Sequence, residues 1–296
     1  MTDVLLSLAE SVAFAHAAVQ VIAEDHDIDL LHIKGPAIDH SLQRIPGAGD
    51  ASTIRLSADA DVLVRPEHVT RLSEALSRHG WRRHFDFDDG SPFGHAATWG
   101  HDRVGFLDVH RFFPGIELDP PTAFETLWQD RGRQAIAGIT CDVPALTAQR
   151  LIMIVHAARG RGLRDRSDID VAWTAVTEVD RQAVEALAEK LDARVALYAG
   201  TGRLAELQDA HSYPLWRELT HPSPSLLSMW WARVRAEPDM LSGARKGVHL
   251  ILPNTHRMET WLGRPPTRRE VASAYVDRLR LGVRAVRAAV KKRDAL

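Results

Sequence analysis

The chain has one cysteine, Cys141, among its 296 residues, so neither a disulfide framework nor a cysteine-rich zinc site can form within it. A reducing cytosol suits such a chain, and the expected location is cytoplasmic. Long apolar runs are missing as well: no uninterrupted stretch approaches the roughly 18–20 residues that a membrane span requires. The first residues lack the basic start of a signal peptide, and Glu10 breaks their apolar run early. Net charge is nearly absent. A formal value of −2 argues against wholesale wrapping by nucleic acid but permits a local basic patch. Internal repeats and low-complexity stretches are also lacking.

What is present centres on Ser57-Ala58-Asp59-Ala60-Asp61-Val62-Leu63-Val64. On a strand, side chains alternate with period two, so Asp59 and Asp61 share one edge while Ala60, Val62 and Val64 face the other way. A lone acidic pair of this kind is usually a solvated strand edge. This one has two companions, Ile33-Lys34-Gly35-Pro36 before it and Phe106-Leu107-Asp108-Val109-His110 after it.

Taken in order, Leu5, Leu8, Val12, Ala15, Val19 and Ile22 predict an amphipathic helix from about Asp3 to Glu24 with Thr2 as N-cap. His16 lies near its apolar stripe and reads as a packing histidine. Ile28 to Ile33 reads as a strand, Lys34-Gly35 as its turn, and Pro36 as the first position of a helix through about Gln43. Gly35 allows a ligand to approach the backbone closely. Arg44 to Ser52 reads as a surface loop, Ile54 to Val64 as a strand, Pro66 to His79 as a helix closed by Gly80, and Trp81 to Phe87 as extended. Asp86 to Pro92 is an acidic turn without the glutamate of a calcium loop. Ala96–Trp99 and Val104–His110 form a hairpin about His101-Asp102-Arg103, which puts Asp108 and His110 on one face.

A helix opened by Pro120-Pro121 and a β segment over Ile136 to Val143 complete the first lobe, expected to be residues 1–143. Residues 144–296 read as a helical lobe, in keeping with a chain long enough for two. It starts with the apolar helix Pro144 to Arg159. The basic, glycine-broken turn His156 to Arg166 follows, then a helix capped at Ser167-Asp168-Ile169-Asp170, where Asp168 and Asp170 serve either as cap and first-turn acids or at a site. Glu185 to Tyr198 holds a helix or two, Pro214 to Trp231 is rich in tryptophan, and Glu270 to Lys292 is a long basic amphipathic helix. Such a helix can contact RNA or anionic lipid, but more often packs its apolar side and leaves arginine in water.

Asp59, Asp61 and Asp108 on neighbouring strands could hold one or two divalent cations, since hard magnesium takes a few carboxylate oxygens and completes its shell with water and phosphate. Lys34-Gly35 would then meet a triphosphate tail. In this order and strand context the residues resemble the nucleotidyltransferase superfamily with the DNA polymerase β-like palm. More narrowly they resemble an uncharacterised bacterial nucleotidyltransferase family with a lysine-glycine start, an arginine before the acidic pair, and an aspartate–x–histidine strand. The match runs from about residue 28 to 112. His156, Arg164 and Asp168-Ile169-Asp170 are loosely similar to the helical lobe of these proteins and of abortive-infection nucleotidyltransferases.

The resemblance implies an α+β fold, a nucleotidyltransferase-like mixed sheet with flanking helices followed by an all-helical C-terminal lobe. It implies transfer of a nucleoside monophosphate from a nucleoside triphosphate to a hydroxyl of a small molecule, RNA end or protein, with release of pyrophosphate. Asp59, Asp61 and Asp108 would be the catalytic metal ligands, with Mg2+ or Mn2+ as the ion and ATP as the foremost triphosphate. Lys34, Gly35, Arg55, Ser57, His110, His156, Arg164 and Asp168 would bind the nucleotide. Two features depart from the family: Pro36 follows Gly35 where a second glycine or a serine is usual, and the stretch between Gly35 and Asp59 is long. Two other readings stay open, a catalytically silent nucleotide-binding regulator and a metal-dependent phosphohydrolase using His101-Asp102 and His156.

Overall fold

The computed structural model describes residues 6–43, 57–87, 93–160, 162–223, 228–229, 232, 255–262 and 264–293. Thr2, the Arg44–Ser52 loop, Arg55, Asp88–Pro92, Trp230 and Trp231 lie outside the described residues. The first helix, α1, runs over Leu8–Asp25, later than the apolar period suggests. Its N-cap is Ser7. The Ser7 N–H donates to Glu10 Oε2 at 2.8 Å and the Glu10 N–H to Ser7 Oγ at 3.3 Å, a reciprocal capping box that fixes the start.

β1 (Leu30–His32) follows, and the chain then departs from the expected helix after Pro36. It makes two 3-10 turns, Gly35–Ala37 and His40–Leu42, separated by extended Ile38. Asp39 is the cause. Its Oδ1 accepts both the N–H and the hydroxyl of Ser41, at 2.9 and 2.6 Å, so the side chain starts a new turn instead of letting an α-helix propagate.

β2 spans Ala60–Val64, so Asp61 lies in the strand and Asp59 just before it; of the strand expected from Ile54, residues 54–56 lie outside the described residues and 57–59 are not strand. A 3-10 turn at Pro66–His68 leads into α2 (Val69–Arg78), and Gly80, at φ +83°, turns the chain into β3 (Arg82–Phe85). β4 (Ala96–His101) and β5 (Gly105–His110) form the expected hairpin. After α3 (Pro120–Gln129), the segment read as one β stretch is itself a hairpin of β6 (Gly132–Ile136) and β7 (Ile139–Val143). Its turn residues Ala137 and Gly138 have φ +47° and +83°, a primed turn without the usual asparagine or aspartate to announce it.

The main sheet has the order β1-β2-β5-β4-β3, with β2 and β5 parallel and the other pairs antiparallel. Alternation gives it two different faces. Val62, Val64, Leu107 and Val109 pack with Val19, Leu72 and Leu76 of α1 and α2, at about 1.5–3 kcal/mol for each large side chain buried. Leu31 and Leu63 point the other way, into a core shared with Ile152, Val155, Leu197 and Trp216, so this core joins residues from both sides of position 143. Asp61, Asp108 and His110 lie on that second face. A one-residue slip of β2 would drive Asp61 into the apolar layer, and register is therefore strongly held.

Among the described residues the regular elements that follow are helical: α4 (Leu146–Ala157), α5 (Leu163–Ile169) with a π turn at Asp170–Thr174, α6 (Glu178–Lys190), α7 (Arg194–Gly200), α8 (Tyr213–Thr220), α9 (Thr255–Leu262) and α10 (Arg268–Arg293). Ser167 was expected to cap a helix but lies inside α5. The helix starts earlier because Asp165 Oδ2 accepts the Gly162 N–H at 2.7 Å. No helix among the described residues is long and apolar enough to cross a membrane.

Candidate active site

Parallel pairing of β2 with β5 sets Asp61 directly opposite Asp108, and the hairpin sets Thr98 opposite Asp108 from the other side. His110, two residues on, reaches diagonally across and donates from Nε2 to Asp61 Oδ1 at 2.8 Å. Lys34 Nζ donates to the same oxygen at 2.6 Å. Thr98 Oγ1 donates to Asp108 Oδ1 at 2.7 Å. Ligand atoms of Asp61, Asp108 and His110 all fall within 4.8 Å of one another. Asp59, just ahead, takes a long 3.4 Å hydrogen bond from Ser57 Oγ.

The two facing aspartates differ in protonation. Burial disfavours the Asp61 carboxylate, but the Lys34 ammonium and the His110 hydrogen bond outweigh it and hold Asp61 well below the usual range. Asp108 is pushed up to about 6, by burial first and then by the Asp61 charge, with Thr98 pulling the other way. Asp59 is raised for the same two reasons. Burial also lowers His110, so its ring is neutral with the hydrogen on Nε2 and a lone pair on Nδ1. His110 Nδ1 has no hydrogen-bond partner among the described residues.

The Lys34-Gly35-Pro36 turn is braced from two directions. Gln134 Nε2 of β6 donates to the Pro36 carbonyl at 2.6 Å, and Gln149 of α4 accepts the Asp39 N–H at 2.7 Å while donating to the Pro144 carbonyl at 2.9 Å. Gly35 has φ +59°, and a Cβ there would lie 3.1 Å from Ser57 Cβ. Only glycine takes this conformation at low cost and still leaves room for Ser57. Pro36 removes one N–H from the turn, yet its carbonyl gains Gln134 in return.

Three neighbours were not singled out from sequence. Thr98 was available from the hairpin register. His95 lies with its ring 5.1 Å from that of His110, and its pKa is pushed down to about 2 by burial and by His110 and Arg159. Arg159, just past α4, holds its guanidinium over the rings of Phe93 and Phe113 at 5.6 and 5.3 Å. Burial draws Arg159 down to about 10 against the attraction of Asp61. It makes no ion pair with a carboxylate among the described residues, and its Nε has no hydrogen-bond partner there.

Of the residues expected from sequence, Lys34, Gly35, Ser57, Asp59, Asp61, Asp108 and His110 therefore converge on one end of the sheet. His156 lies in the last turn of α4, and Asp168, 6% exposed, in α5. Arg164 also belongs to α5, and Arg55 falls outside the described residues. His101 and Asp102 stand at the turn end of the hairpin, three register positions from Thr98; there the His101 ring lies tilted against Trp81, 5.3 Å between centroids, and Asp102 pairs with Arg82.

A family model described as an uncharacterised nucleotidyltransferase matches residues 9–209. The chain belongs to this family. It is accordingly a transferase of nucleotidyl groups, with the α+β fold of a mixed five-stranded sheet, flanking helices and a helical C-terminal part. No curated protein matches it by sequence. Several solved structures resemble it distantly. One is a crystal structure of the lincosamide antibiotic adenylyltransferase LnuA with lincomycin bound, at TM-score 0.36 and 15% identity, covering 54% of this chain and 94% of that one. Another is a solution structure of the antibiotic-resistance factor ANT(2'')-Ia, at TM-score 0.42 and 17% identity, covering 67% and 95%. A third is an antigenic nucleotidyltransferase-like protein from Paracoccidioides brasiliensis, at TM-score 0.36 and 17% identity, covering 66% and 94%.

Proposed function

We propose that this nucleotidyltransferase moves a nucleoside monophosphate from a nucleoside triphosphate, ATP foremost, to a hydroxyl acceptor and releases pyrophosphate. The observation that carries this reading is the pair Asp61 and Asp108, side by side on parallel strands with Lys34 and His110 closing on the same Asp61 oxygen. The donor set suits a hard divalent cation: the Asp61 and Asp108 carboxylates lie within 4.8 Å of each other and of His110, and Asp59, outside that group but close enough to feel the Asp61 charge, is the third oxygen donor in this reading. Asp59, Asp61 and Asp108 would hold Mg2+ or Mn2+, which when bound supplies charge neutralisation at the phosphates and lowers the pKa of a coordinated hydroxyl.

The chain's own groups divide the remaining work. Lys34 already sits where positive charge is wanted, and it turns from Asp61 to the triphosphate as that ligand arrives. Gly35 lets the phosphates approach its backbone, with Ser57 beside it. Arg159, a partly buried guanidinium with no carboxylate partner among the described residues, faces the same region from the helical part and neutralises the pyrophosphate end. Asp108, with a pKa of about 6 before any cation binds, accepts the acceptor hydroxyl's proton at its carboxylate. In this reading residues 1–143 are the catalytic lobe and residues 144–296 bring Arg159, His156 and Asp168 to the nucleotide.

The acceptor's chemistry is left open between a small molecule, an RNA end and a protein. An RNA acceptor would meet basic α10, and affinity would then fall steeply between low and moderate salt. The deciding experiment incubates the protein with each α-labelled triphosphate, Mg2+ and a cell extract. Label transferred by the native protein and not by Asp61→Asn supports the reading. Absence of transfer from every triphosphate, with nucleotide binding retained, would replace it with a silent regulator.

A further inference from the structure

Behind the glycine turn runs a chain of hydrogen bonds whose direction is fixed at its far end. Gln20 Nε2 donates to Glu24 Oε1 at 2.8 Å, so the amide oxygen of Gln20 is the atom that faces His32 Nε2 at 2.9 Å. His32 Nε2 therefore carries hydrogen. Burial and the neighbouring His16 keep His32 neutral, which leaves a lone pair on its Nδ1. The 2.7 Å contact between the two Nδ1 atoms then requires the hydrogen to sit on His16. His16 is neutral too, burial having pushed it down to about 4 against the pull of Asp61. Its other nitrogen, Nε2, is thus an acceptor only.

That lone pair is aimed at the nucleotide turn. His16 is 0% exposed, and its Nε2 has no hydrogen-bond partner among the described residues. A Cβ built on Gly35 would lie 3.6 Å from His16 Nε2 and 3.6 Å from Ser57 Oγ, so both atoms border one small space. A neutral acceptor cannot hold a phosphate oxygen. The donor that borders the same space is the Ser57 hydroxyl, now given to Asp59 Oδ1 across 3.4 Å, well beyond the usual 2.5–3.0 Å or so for O–H···O.

We propose that His16 is a positioning residue for metal loading: its Nε2 takes over the Ser57 hydroxyl hydrogen bond when a divalent cation claims the Asp59 carboxylate. The proposal rests on the reading of Asp59 as a metal ligand. An O–H···O bond is exchanged for an O–H···N bond by rotation of the Ser57 side chain, and no proton changes owner. Without the acceptor at position 16, the hydroxyl stays on Asp59 and competes with the cation.

Mn2+ binding to the full chain without nucleotide, followed by electron paramagnetic resonance, tests this. Asparagine at position 16 retains a short amide to reach His32 but offers nothing at the Nε2 position, whereas glutamine carries an acceptor there. His16→Asn should weaken Mn2+ binding about 3–10-fold, the size of one net hydrogen bond, and His16→Gln should weaken it less. Ser57→Ala should restore affinity in the His16→Asn background, because the competing hydroxyl is gone. Unchanged affinity in His16→Asn, or failure of Ser57→Ala to restore it, overturns the proposal.

Asp59→Asn separates the two ideas. If it binds Mn2+ like the native chain, the ligand reading fails and the proposal falls with it. If it binds poorly while His16→Asn binds normally, the ligand reading stands and only the His16 role is lost. Should the variants fail to fold, 15N resonances of the native histidines decide: Nε2 of His16 should be unprotonated and move upfield on adding Mg2+, and a protonated or unmoved Nε2 overturns the proposal.

Discussion

Asp61 and Asp108 are register partners on parallel strands, yet the first stays charged and the second holds its proton up to about pH 6. The difference lies in their partners. Asp61 has the Lys34 ammonium and the His110 N–H, both on Oδ1; Asp108 accepts the neutral Thr98 hydroxyl and faces the negative charges of Asp61 and Asp59, with Lys34 as a lesser opposing pull. One carboxylate is thereby fixed as an anion and its neighbour is left near the protonation midpoint of a neutral-pH base.

Asp61→Asn removes the anion on which Lys34 and His110 converge. Nucleotidyl transfer should fall below detection. Stability should drop by about 2–4 kcal/mol at pH 7, because a largely buried ammonium loses its partner. The folded pKa of Asp61 is depressed, so its stabilisation is present above its unfolded value of about 3.9 and is lost as pH falls below that. The difference in thermal midpoint between native and variant should therefore shrink on acidification below about pH 4.

Asp108→Asn should do the opposite to stability while also abolishing transfer. The folded pKa, about 6, lies above the unfolded value, so the folded state is weakened as pH rises between about 4 and 6. At pH 7 and without metal, the penalty is about 2–3 kcal/mol, and asparagine removes it. Thermal midpoints in the presence of a chelator should show the variant more stable at pH 7 and its advantage fading toward pH 4. A variant less stable at pH 7 would mean that Asp108 is not held protonated by its surroundings. Thr98→Val should raise the pKa of Asp108 further, because the hydrogen bond that opposes burial is lost.

Much of this site was legible because period-two alternation and hydrogen-bond register are short-range rules. Asp108 and His110 share a face on that basis alone, and Asp61 joins them once β2 and β5 are paired. The turn after β1 was readable at Lys34-Gly35, but the two 3-10 turns beyond it were not, since Pro36 advertises a helix and the Asp39 side chain redirects it. The helix start was hidden behind a continuous apolar period, although Ser7-x-x-Glu10 was the stronger signal. Arg159 was missed for a different reason. It sits in a run of arginines, and what separates it from its neighbours is tertiary: the Phe93 and Phe113 rings that hold it and the distant Asp61 that attracts it.

Gly35→Ala should damage activity more than it damages the fold. A left-handed φ of +59° costs an alanine about 1–2 kcal/mol, a modest loss for a chain of this size. The new Cβ, at 3.1 Å from Ser57 Cβ and 3.6 Å from His16 Nε2, would push Ser57 out of the turn. The expected result is a small fall in thermal midpoint with a fall in triphosphate affinity of 10-fold or more, on the order of one charge-assisted hydrogen bond. Titration with a fluorescent triphosphate, read beside a melting curve, checks both.

Arg159→Ala should weaken triphosphate binding about 10–100-fold, the range of a hydrogen bond to a charged group in a site shielded from water. Monophosphate binding should change little, since the guanidinium is assigned to the pyrophosphate end. Arg159→Lys should recover only part of the loss: a lysine ammonium cannot lie flat over Phe93 and Phe113 or present two parallel N–H groups to a phosphate. Stability should respond in the other direction. A partly buried guanidinium with no carboxylate partner among the described residues is a cost to the folded state, so replacing it should leave the thermal midpoint unchanged or raise it. Equal loss of mono- and triphosphate binding, or a marked fall in midpoint, would instead make Arg159 a packing residue between the two phenylalanines.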